Sequence, residues 1–418
     1  MATLTSEYQQ ILTSQTIDTD GPGSILRDFE MLLEWIGPEG TTVSHKNNLL
    51  PMKSLEQLNA RMTHPLQLAL KRPRLKSYPH ISALYMLLRA TGLASVKGTG
   101  TTKRLVLDET LLASWRQLNP TERYFTLLET GLLRAKPEMI GERGFGMRPL
   151  VDKWGNFFQR IPGKGLRIAG NKRQEDVITY IPGFLAVAML ELFGLITVHH
   201  GKPKAGKGWC IVKVDRTPWG DALLHVLAEH LMSIDFLLRL DTLSEEPFGA
   251  LQAILQPFFP AWCQNLHLPE PEFHDGTFIF KVSWGRVWRR IAIPGTHQMD
   301  RLSDAILAAY EFDHDHLYLF SYTNRFGLAT EINHPYTEAP PLTTEVRIGE
   351  VPLQPGETMT YVYDFGDHWE FEVQLERIDP VDRRMRKYKI LESHGEAPEQ
   401  YEWGDWDGDW DAEDNGDL

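Results

Sequence analysis

The chain has 418 residues, 42% of them hydrophobic and 24% charged, which is typical of soluble globular domains. This length predicts two to four domains, because one hydrophobic core rarely organises so many residues. The two cysteines exclude a disulfide framework and a four-thiolate metal site, and the N-terminus lacks a signal-like pattern, so a cytoplasmic protein is expected. The longest apolar run contains a glutamate and falls short of the about 20 residues that span a bilayer, so no membrane association is expected.

The net charge of −13 is unevenly distributed along the chain. Residues 392–418 contain eleven acidic residues and no basic one, and the first 391 residues carry a net charge of only −2. The overall acidity therefore does not exclude nucleic-acid binding. Charge repulsion and low apolar content predict that residues 392–418 form a disordered acidic tail. The alternative is that this tail occupies a basic surface of the protein itself or of a partner.

Hydrophobic periodicity predicts helices through most of the N-terminal part of the chain. Residues 1–54 contain one amphipathic helix that ends near Gly37, and another helix follows at its end. Within residues 55–140, a helix stops at Gly92 and precedes a glycine-rich loop, a short strand and two further helices. The first of these two helices is predicted to be capped by Asp108, and the second to begin with the capping sequence of residues 119–122.

A comparable order of elements recurs about one hundred residues later in the sequence. In residues 175–265, a helix ends at Gly194-Leu195 and precedes two strand candidates, a basic loop and a helix opened by Thr217-Pro218. Helices joined to a basic hairpin are typical of winged helices. The sequence therefore predicts two winged-helix-like modules, and the helices at 108–118 or 217–231 are expected to approach DNA.

Basic residues in the predicted hairpin loops are candidates for phosphate contacts. Residues 141–174 join the two modules and combine basic side chains with aromatic ones, a pattern used in single-strand binding. The alternative interpretation is a solvated connector whose aromatic residues pack back onto the modules. The candidate nucleic-acid ligands are Lys97, Lys103, Arg104, Arg160, Lys164, Arg167, Lys202, Lys204 and Lys207.

Residues 270–391 show a different pattern, with period-two alternation in several segments. A strand pair with a turn at Gly285 is predicted, followed by a helix at 299–312 and further strands at 316–322, 345–351 and 359–378. The expected fold class is therefore multidomain α+β. Winged-helix-like N-terminal modules precede a C-terminal α+β domain with a mainly antiparallel sheet.

Three short strings in this C-terminal domain form a specific pattern. They are Trp288-Arg289-Arg290-Ile291, then His316-Leu317 with Phe320, and then Tyr363-Asp364-Phe365-Gly366-Asp367 with Trp369. In order and spacing they resemble the plasmid pRiA-type ORF-three-like family, whose members are also described as TnpR passenger proteins of insertion elements. The resemblance covers less than a third of the chain. It implies an α+β domain and a link to a mobile element. It implies no enzymatic activity, because none is established for the family.

Histidines and aspartates cluster in two parts of the same domain, and they are candidate metal ligands. The candidates are His314, His316, Asp364, Asp367 and His368. The alternative interpretation gives the aspartates turn hydrogen bonds around Gly366, places Phe365 and Trp369 in the core and leaves the histidines on the surface. Family members often carry a histidine where this chain has Phe371, so a metal role that depends on that histidine is not expected.

No catalytic motif is identifiable in the sequence, and no cofactor is expected. A P-loop, a nucleophile elbow and a cysteine with a partner motif are all missing. The function predicted from the sequence is that of a non-enzymatic DNA-binding or regulatory protein. Two alternatives are a protein–protein interaction scaffold and a metal-dependent hydrolase, which requires the two His/Asp clusters to converge.

Overall fold

A computed structural model describes residues 4–98, 102–142, 150–231, 247–269 and 272–401. These residues form two compact units. The N-terminal unit comprises residues 1–270 together with 324–328, and the C-terminal unit comprises residues 271–323 and 329–418. The 402–418 part of the predicted acidic tail lies outside the described residues.

The N-terminal unit contains both α-helices and short strands. Its elements are α1 (Ser6–Ser14), α2 (Ile25–Ile36), β1 (Thr41–Thr42), α3 (Met52–Arg61), α4 (Pro79–Ala90), β2 (Ala94–Lys97), β3 (Arg104–Leu107), α5 (Glu109–Gln117), α6 (Pro120–Glu129), α7 (Leu150–Gln159), β4 (Leu166–Arg167), α8 (Lys172–Ile178), α9 (Phe184–Leu192), β5 (Ile196–His200), β6 (Ile211–Arg216), α10 (Pro218–Leu231) and α11 (Gln252–Leu255). Short 3-10 or π turns occur at Leu75–Ser77, Thr130–Arg134, Pro137–Ile140 and Thr179–Gly183.

Two segments of this unit share one succession of elements. From α2 to β3, and again from α7 to β6, the order is helix, strand, two helices and two strands. Each segment forms a small three-stranded antiparallel sheet, with strand order β1-β3-β2 in the first and β4-β6-β5 in the second. The repeat therefore begins with a helix and a two-residue strand that lie upstream of the predicted module boundaries at residues 55 and 175.

The third helices of the two segments, α4 and α9, pack against each other. Every residue of α4 is buried, and six of the nine residues of α9 are buried. The helices that follow each sheet, α5 and α10, begin as predicted after Asp108 and Thr217. Asp108 caps α5 by accepting a hydrogen bond from the Leu111 amide.

The helix α6 begins with the reciprocal capping arrangement expected from the sequence. The side chain of Asn119 accepts a hydrogen bond from the amide of Glu122, and the carboxylate of Glu122 accepts one from the amide of Asn119. The other carboxylate oxygen of Glu122 accepts hydrogen bonds from the amides of Cys263 and Gln264. The cap therefore also fixes a segment that lies far away in the sequence.

The C-terminal unit is built around one antiparallel sheet and one long helix. Its elements are β7 (Thr277–Trp284), β8 (Val287–Pro294), α12 (Met299–Tyr310), β9 (Tyr318–Thr323), β10 (Ala329–Asn333), β11 (Thr358–Tyr363), β12 (Trp369–Asp379) and β13 (Lys389–His394), with 3-10 turns at Pro335–Thr337 and Ile348–Glu350. The seven strands have the order β10-β9-β11-β12-β7-β8-β13. The predicted strand at 345–351 is wrong, because this segment contains a 3-10 turn.

One face of this sheet and α12 enclose the core of the C-terminal unit. Phe280, Tyr361 and Phe371 are buried on the sheet, and Leu302 and Ile306 are buried on the helix. The predicted α+β class with a large antiparallel sheet is confirmed for this unit. Among the described residues, no helix combines the length and the apolar character needed to cross a bilayer.

Candidate functional site

The loop between β5 and β6 presents three predicted phosphate ligands. Lys202, Lys204 and Lys207 are all exposed in this loop, which spans residues 201–210. Lys204 Nζ lies 3.6 Å from a carboxylate oxygen of Glu175, but both side chains are well exposed, so this pair contributes little to stability. All three ammonium groups therefore remain accessible to an anionic partner.

A second basic segment lies against this loop. Residues 69–80, which we call the basic strap, carry the exposed side chains of Lys71, Arg72, Arg74 and Lys76. At one end of the strap, the amide of Gly206 donates a hydrogen bond of 3.0 Å to the carbonyl of Ala69. No local sequence pattern indicates that the strap and the loop meet, because the two segments are more than one hundred residues apart in the chain.

The other end of the strap is held by a buried polar network. The rings of His80 and Trp209 pack edge to face at 4.8 Å, and His80 Nε2 lies 2.8 Å from Glu191 Oε2. The indole of Trp209 donates to Nδ1 of His200, so the proton of His200 sits on Nε2, 3.2 Å from Glu191 Oε1. The strap is therefore attached to the β5–β6 loop at both of its ends.

The Glu191 carboxylate at the centre of this network is strongly perturbed. Burial alone raises its pKa, but the hydrogen bonds from His200 and His80 and the electrostatic effect of these two rings outweigh burial and lower the pKa to about 2. Glu191 is therefore ionised at neutral pH. It links α9 to α4 through His80, across the two repeated segments.

The strap and the loop together form one basic surface. We define it by seven exposed cations, which are Lys71, Arg72, Arg74, Lys76, Lys202, Lys204 and Lys207. Such a concentration of positive charge suits a polyanion. Lys97 is exposed at the end of β2, next to the corresponding β2–β3 loop of the first segment, and residues 99–101 of that loop lie outside the described residues.

Two other candidate phosphate ligands, in the β2–β3 region, make hydrogen bonds within the fold. Lys103 Nζ donates to the carbonyl of His45 and lies 3.3 Å from the side-chain oxygen of Asn48. Arg104 donates to the carbonyls of Glu39 and Gly40. Both side chains therefore fasten the segment around β1 to β3, a role that the sequence pattern did not suggest.

The predicted connector, residues 141–174, overlaps the beginning of the second repeated segment, and its basic and aromatic side chains lie in different environments. Arg160, Lys164 and Arg167 are exposed, as a phosphate contact requires. Its aromatic residues Trp154, Phe157 and Phe158 are buried in the core, so they are unavailable for stacking on bases. The alternative interpretation, in which the rings pack back onto the modules, is confirmed for these three residues. Residues 143–149 of the connector lie outside the described part of the chain.

In the C-terminal unit, the two arginines of the Trp288-Arg289-Arg290-Ile291 string have different roles. Arg289 is buried, and its guanidinium donates to the carbonyls of Trp288, Ala309, His394 and Gly395. Arg290 pairs with the carboxylates of Glu376 and Glu392. The two arginines therefore have different kinds of partner, main-chain carbonyls for Arg289 and carboxylates for Arg290.

The string from Tyr363 to Trp369 forms the turn between β11 and β12. Asp364 adopts a positive φ of 52°, and its Oδ1 accepts the amide hydrogen of Gly366 at 2.8 Å. The buried Tyr363 hydroxyl donates to the carbonyl of Asp313 and accepts from the amides of Asp315 and His316. The predicted turn bonding of Asp364 is confirmed, but Phe365 is 47% exposed and is not a core residue.

The tyrosine therefore shapes the loop that carries two candidate metal ligands. His314 and His316 both line a cavity of about 320 Å³ in the C-terminal unit. The cavity lies beside one face of α12, which contributes Asp300 and Asp304, and it is closed by Tyr318 and by the segment after β10. This volume is at the lower end of the roughly 300–1,000 Å³ that is typical of small-ligand sites.

The structure brings only part of the predicted metal set together. His316 Nε2 lies 3.5 Å from Asp364 Oδ2, while Asp367 and His368 are exposed in the turn, where His368 is near Glu370. His314 Nδ1 lies 3.6 Å from Asp304 Oδ1 instead. Across the described ranges, no group of three or more His, Cys, Asp or Glu side chains is arranged to hold a metal ion.

A third histidine, His334, lines the same cavity, and sequence analysis did not single it out. Its Nδ1 accepts a hydrogen bond from the amide of Tyr336, so the proton of the neutral ring sits on Nε2. Burial lowers the pKa of His334, which keeps the ring neutral at physiological pH. Its neighbour Tyr318 packs edge to face against it, with ring centroids 4.7 Å apart.

These features define the C-terminal unit as an α+β domain with a hairpin between β11 and β12 and a small polar cavity. Residues 281–408 match the family model for the plasmid pRiA4b ORF-3-like protein. The matched segment contains the strings from Trp288 to Ile291 and from Tyr363 to Trp369. The resemblance to this family expected from the sequence is therefore supported for this part of the chain.

Two individual proteins are similar to the chain. Over 122 residues it is 30% identical to the uncharacterized protein y4hQ of Sinorhizobium fredii, which corresponds to 29% of this chain and 61% of that protein. The chain thus spans less than two thirds of the length of this relative. A crystal structure of a protein of unknown function from Methanosarcina mazei Go1 is 25% identical over 30% of this chain and 72% of its own, with a TM-score of 0.26.

Proposed function

We propose that this protein binds double-stranded DNA through the basic surface of its N-terminal unit and acts as a non-enzymatic regulator. The observation that carries the proposal is the attachment of the basic strap to the β5–β6 loop, which joins seven exposed cations into one surface. Both segments have the same order of helices and strands, and in each one the last strand is the middle strand of the sheet, with the orders β1-β3-β2 and β4-β6-β5. This repeated arrangement supports the proposal of two winged-helix-like modules. The β5–β6 loop then corresponds to a wing.

The mode of binding that we propose depends on phosphates more than on bases. In winged-helix proteins the third helix enters the major groove, but the corresponding helices here, α4 and α9, pack against each other. All residues of α4 are buried, so it has no free face with which to read base edges. Contacts from lysine and arginine to phosphates position a protein on DNA without carrying sequence information. We therefore expect affinities for unrelated duplexes to agree within about threefold.

The C-terminal unit supports the regulatory part of the proposal. Its similarity to the plasmid pRiA4b ORF-3-like family motivates a link to a plasmid or other mobile element. A passenger role in insertion elements belongs to this proposal as well. Such a protein would use the N-terminal unit to stay on DNA and the C-terminal unit to respond to another molecule.

The experiment is a fluorescence-anisotropy titration of a 30-base-pair duplex with the full-length protein over a salt series. Replacing Lys202, Lys204 and Lys207 together by alanine removes three cations of the basic surface. If each one contacts a phosphate, the slope of log affinity against log salt falls by about 2.7, because each contact contributes about 0.9. Affinity at low salt is expected to fall at least tenfold.

A matched control removes the same charge elsewhere. Arg383, Arg384 and Arg386 are exposed in the C-terminal unit, outside the basic surface, and their triple alanine variant is expected to keep the salt slope of the wild type. Equal effects of the two triple variants would show that only net charge matters. Failure of the wild type to bind duplex at 50 mM salt would reject the proposal and favour the protein-scaffold alternative.

The acidic end of the chain provides a further arm of this experiment. A variant that ends at Tyr401 lacks eight acidic residues and retains all of β13, which a chain ending at residue 391 would cut. Its net charge is −5 instead of −13, so long-range repulsion of DNA is weaker and association is expected to be faster at low salt. An association rate equal to that of the full chain would show that the tail does not influence DNA binding.

A further inference from the structure

The cavity of the C-terminal unit has a chemistry that does not depend on DNA binding. Its lining combines carboxylates from α12, imidazoles from the loop before β9 and from the segment after β10, and the phenol ring of Tyr318. A cavity with this composition could bind an anion, a metal ion or an organic cation. The pairing of its charged groups distinguishes these three classes.

The positive groups of the cavity are already balanced by carboxylates. Arg301 Nη1 lies 3.0 Å from Asp304 Oδ2, and His314 Nδ1 lies 3.6 Å from the other oxygen of the same carboxylate. His316 lies 3.5 Å from carboxylate oxygens of both Asp315 and Asp364. An anion would therefore have to displace an existing carboxylate partner from each of these groups.

The negative groups, in contrast, are in excess. Asp300, Asp304, Asp315 and Asp364 surround the cavity or its histidines, and Arg301 is the one permanent cation in its lining among the described residues. The Oδ1 atom of Asp300 is buried and lacks a hydrogen-bond partner within the described part of the chain. A buried acceptor without a donor is energetically costly.

The remaining walls suit an organic cation better than a bare metal ion. Tyr318, His334 and Tyr336 present aromatic rings, and such rings attract ammonium and guanidinium groups through their π faces. Burial raises the pKa of Tyr318 and lowers that of His334, so both rings are neutral at pH 7 and neither repels a cation. The arrangement of His, Cys, Asp and Glu side chains in the described residues does not provide a three-ligand metal site.

We propose that this cavity binds a small organic cation, with a primary ammonium or guanidinium group held between Asp300 and Asp304 and against the rings of Tyr318 and Tyr336. The serine in the lining does not act as a nucleophile in this proposal. Ser303 is buried, and its hydroxyl is hydrogen-bonded to that of Tyr361 at 2.6 Å. The cavity is therefore a binding site through which a small amine could influence the protein.

The test is isothermal titration calorimetry of the full-length protein with agmatine, which carries a guanidinium and an ammonium group, and with putrescine, which carries two ammonium groups. Saturable binding of at least one of these probes below about 1 mM is expected. The D300N and D304N variants keep the side-chain shape and remove one charge each, and each is expected to weaken binding at least tenfold. That factor corresponds to about 1.4 kcal/mol.

Two further variants make the test specific. Tyr336 is 85% exposed, so Y336A removes an aromatic wall without disturbing the core, and it is expected to weaken binding about threefold to tenfold. Asp367 is exposed and does not line the cavity, so D367N is the matched control and is expected to bind like the wild type. Circular dichroism of every variant checks that the fold is retained.

Three outcomes would overturn the proposal. One is the lack of saturable heat with either amine up to 10 mM. Another is binding of inorganic phosphate that is lost in H314Q and H316Q, which would assign the cavity to anions. The third is stoichiometric uptake of Zn²⁺ or Mn²⁺ by chelator-treated protein in competition with agmatine, which would assign it to a metal ion.

Discussion

The two units of this protein place buried charge in different settings. In the N-terminal unit, Glu191 is ionised within a network with His80 and His200, and His80 connects the two repeated segments. In the C-terminal unit, Arg289 is buried among main-chain carbonyls from α12 and β13. The carboxylate of Glu191 can be protonated at low pH, whereas the guanidinium of Arg289 stays charged. The stability of the contact between the two repeated segments can therefore depend on pH, while the contribution of Arg289 to the C-terminal unit does not.

The largest effect is expected from removing the permanent charge. The R289M variant keeps an apolar chain in the core but leaves the carbonyls of Ala309, His394 and Gly395 without their donor. We expect the free energy of unfolding of the C-terminal unit to fall by about 3–5 kcal/mol. Hydrogen exchange measured by mass spectrometry for β13 and α12 gives the local change.

The neighbouring Arg290 supplies the control for this prediction. It is partly exposed and pairs with the side chains of Glu376 and Glu392, so R290M is expected to cost about 1 kcal/mol. Equal losses in R289M and R290M would contradict the distinction between main-chain and side-chain partners.

A smaller effect is expected at the repeat interface. The folded pKa of Glu191 is about 2, below its ordinary value of 4.5, so its contribution is present above pH 4.5 and is lost as the pH falls towards 2. The shift corresponds to about 3 kcal/mol, and E191Q is expected to lose about 2–3 kcal/mol of stability in the N-terminal unit at pH 7.

Acid titration sharpens this second prediction. The stability difference between wild type and E191Q should shrink between pH 4.5 and 2, as followed by chemical denaturation at each pH. E175Q is the matched control, because the Glu175 side chain is 38% exposed, pairs with Lys204 at 3.6 Å and accepts a hydrogen bond from the Gly170 amide that a glutamine oxygen can keep. Its effect is expected to be about 0.5 kcal/mol or less. A pH-independent difference for E191Q would show that packing, and not charge, is responsible.

The smallest effect concerns the histidine of the cavity. Burial lowers the folded pKa of His334 below the ordinary value of 6.5, so the unfolded chain takes up protons first. Its contribution is complete above pH 6.5 and declines as the pH falls towards the folded pKa. H334N keeps an acceptor for the Tyr336 amide and cannot titrate, so the stability of the C-terminal unit should depend less on pH between 7 and 5. An unchanged pH dependence would indicate that His297, whose pKa is also lowered by burial, controls this range.

The elements of the fold followed from the sequence where their pattern is strong. The α2 and α12 helices have apolar residues at helical spacing, and the α6 helix begins with a capping sequence whose bonds are local. Strand β12 alternates between buried and more exposed residues, whereas the first four residues of β7 are all buried. By contrast, β1 and β4 have two residues each, and all residues of β13 are exposed, so these strands carry no hydrophobic pattern and were not predicted.

The candidate sites were predictable only in part, for the same physical reason. Exposed lysines of the β5–β6 loop are visible in the sequence, because a run of cations in a polar loop is a local feature. The sequence does not show that these lysines and the basic strap form one surface. That surface depends on the hydrogen bond between Gly206 and Ala69, which are far apart in the chain. Likewise, the cavity needs His334 to meet His314 and Asp300, and the fold alone brings these residues together.

The sequence by itself determined the order of most helices and strands, the α+β character of the C-terminal unit and the positions of the family strings. These features depend on periodicity, capping and turn chemistry, which act between residues close in the chain. Only the tertiary structure decided that α4 is buried against α9, that Arg289 binds carbonyls and that Trp154 belongs to the core. Burial and hydrogen-bond partners are set by residues distant in sequence, so no local pattern specifies them.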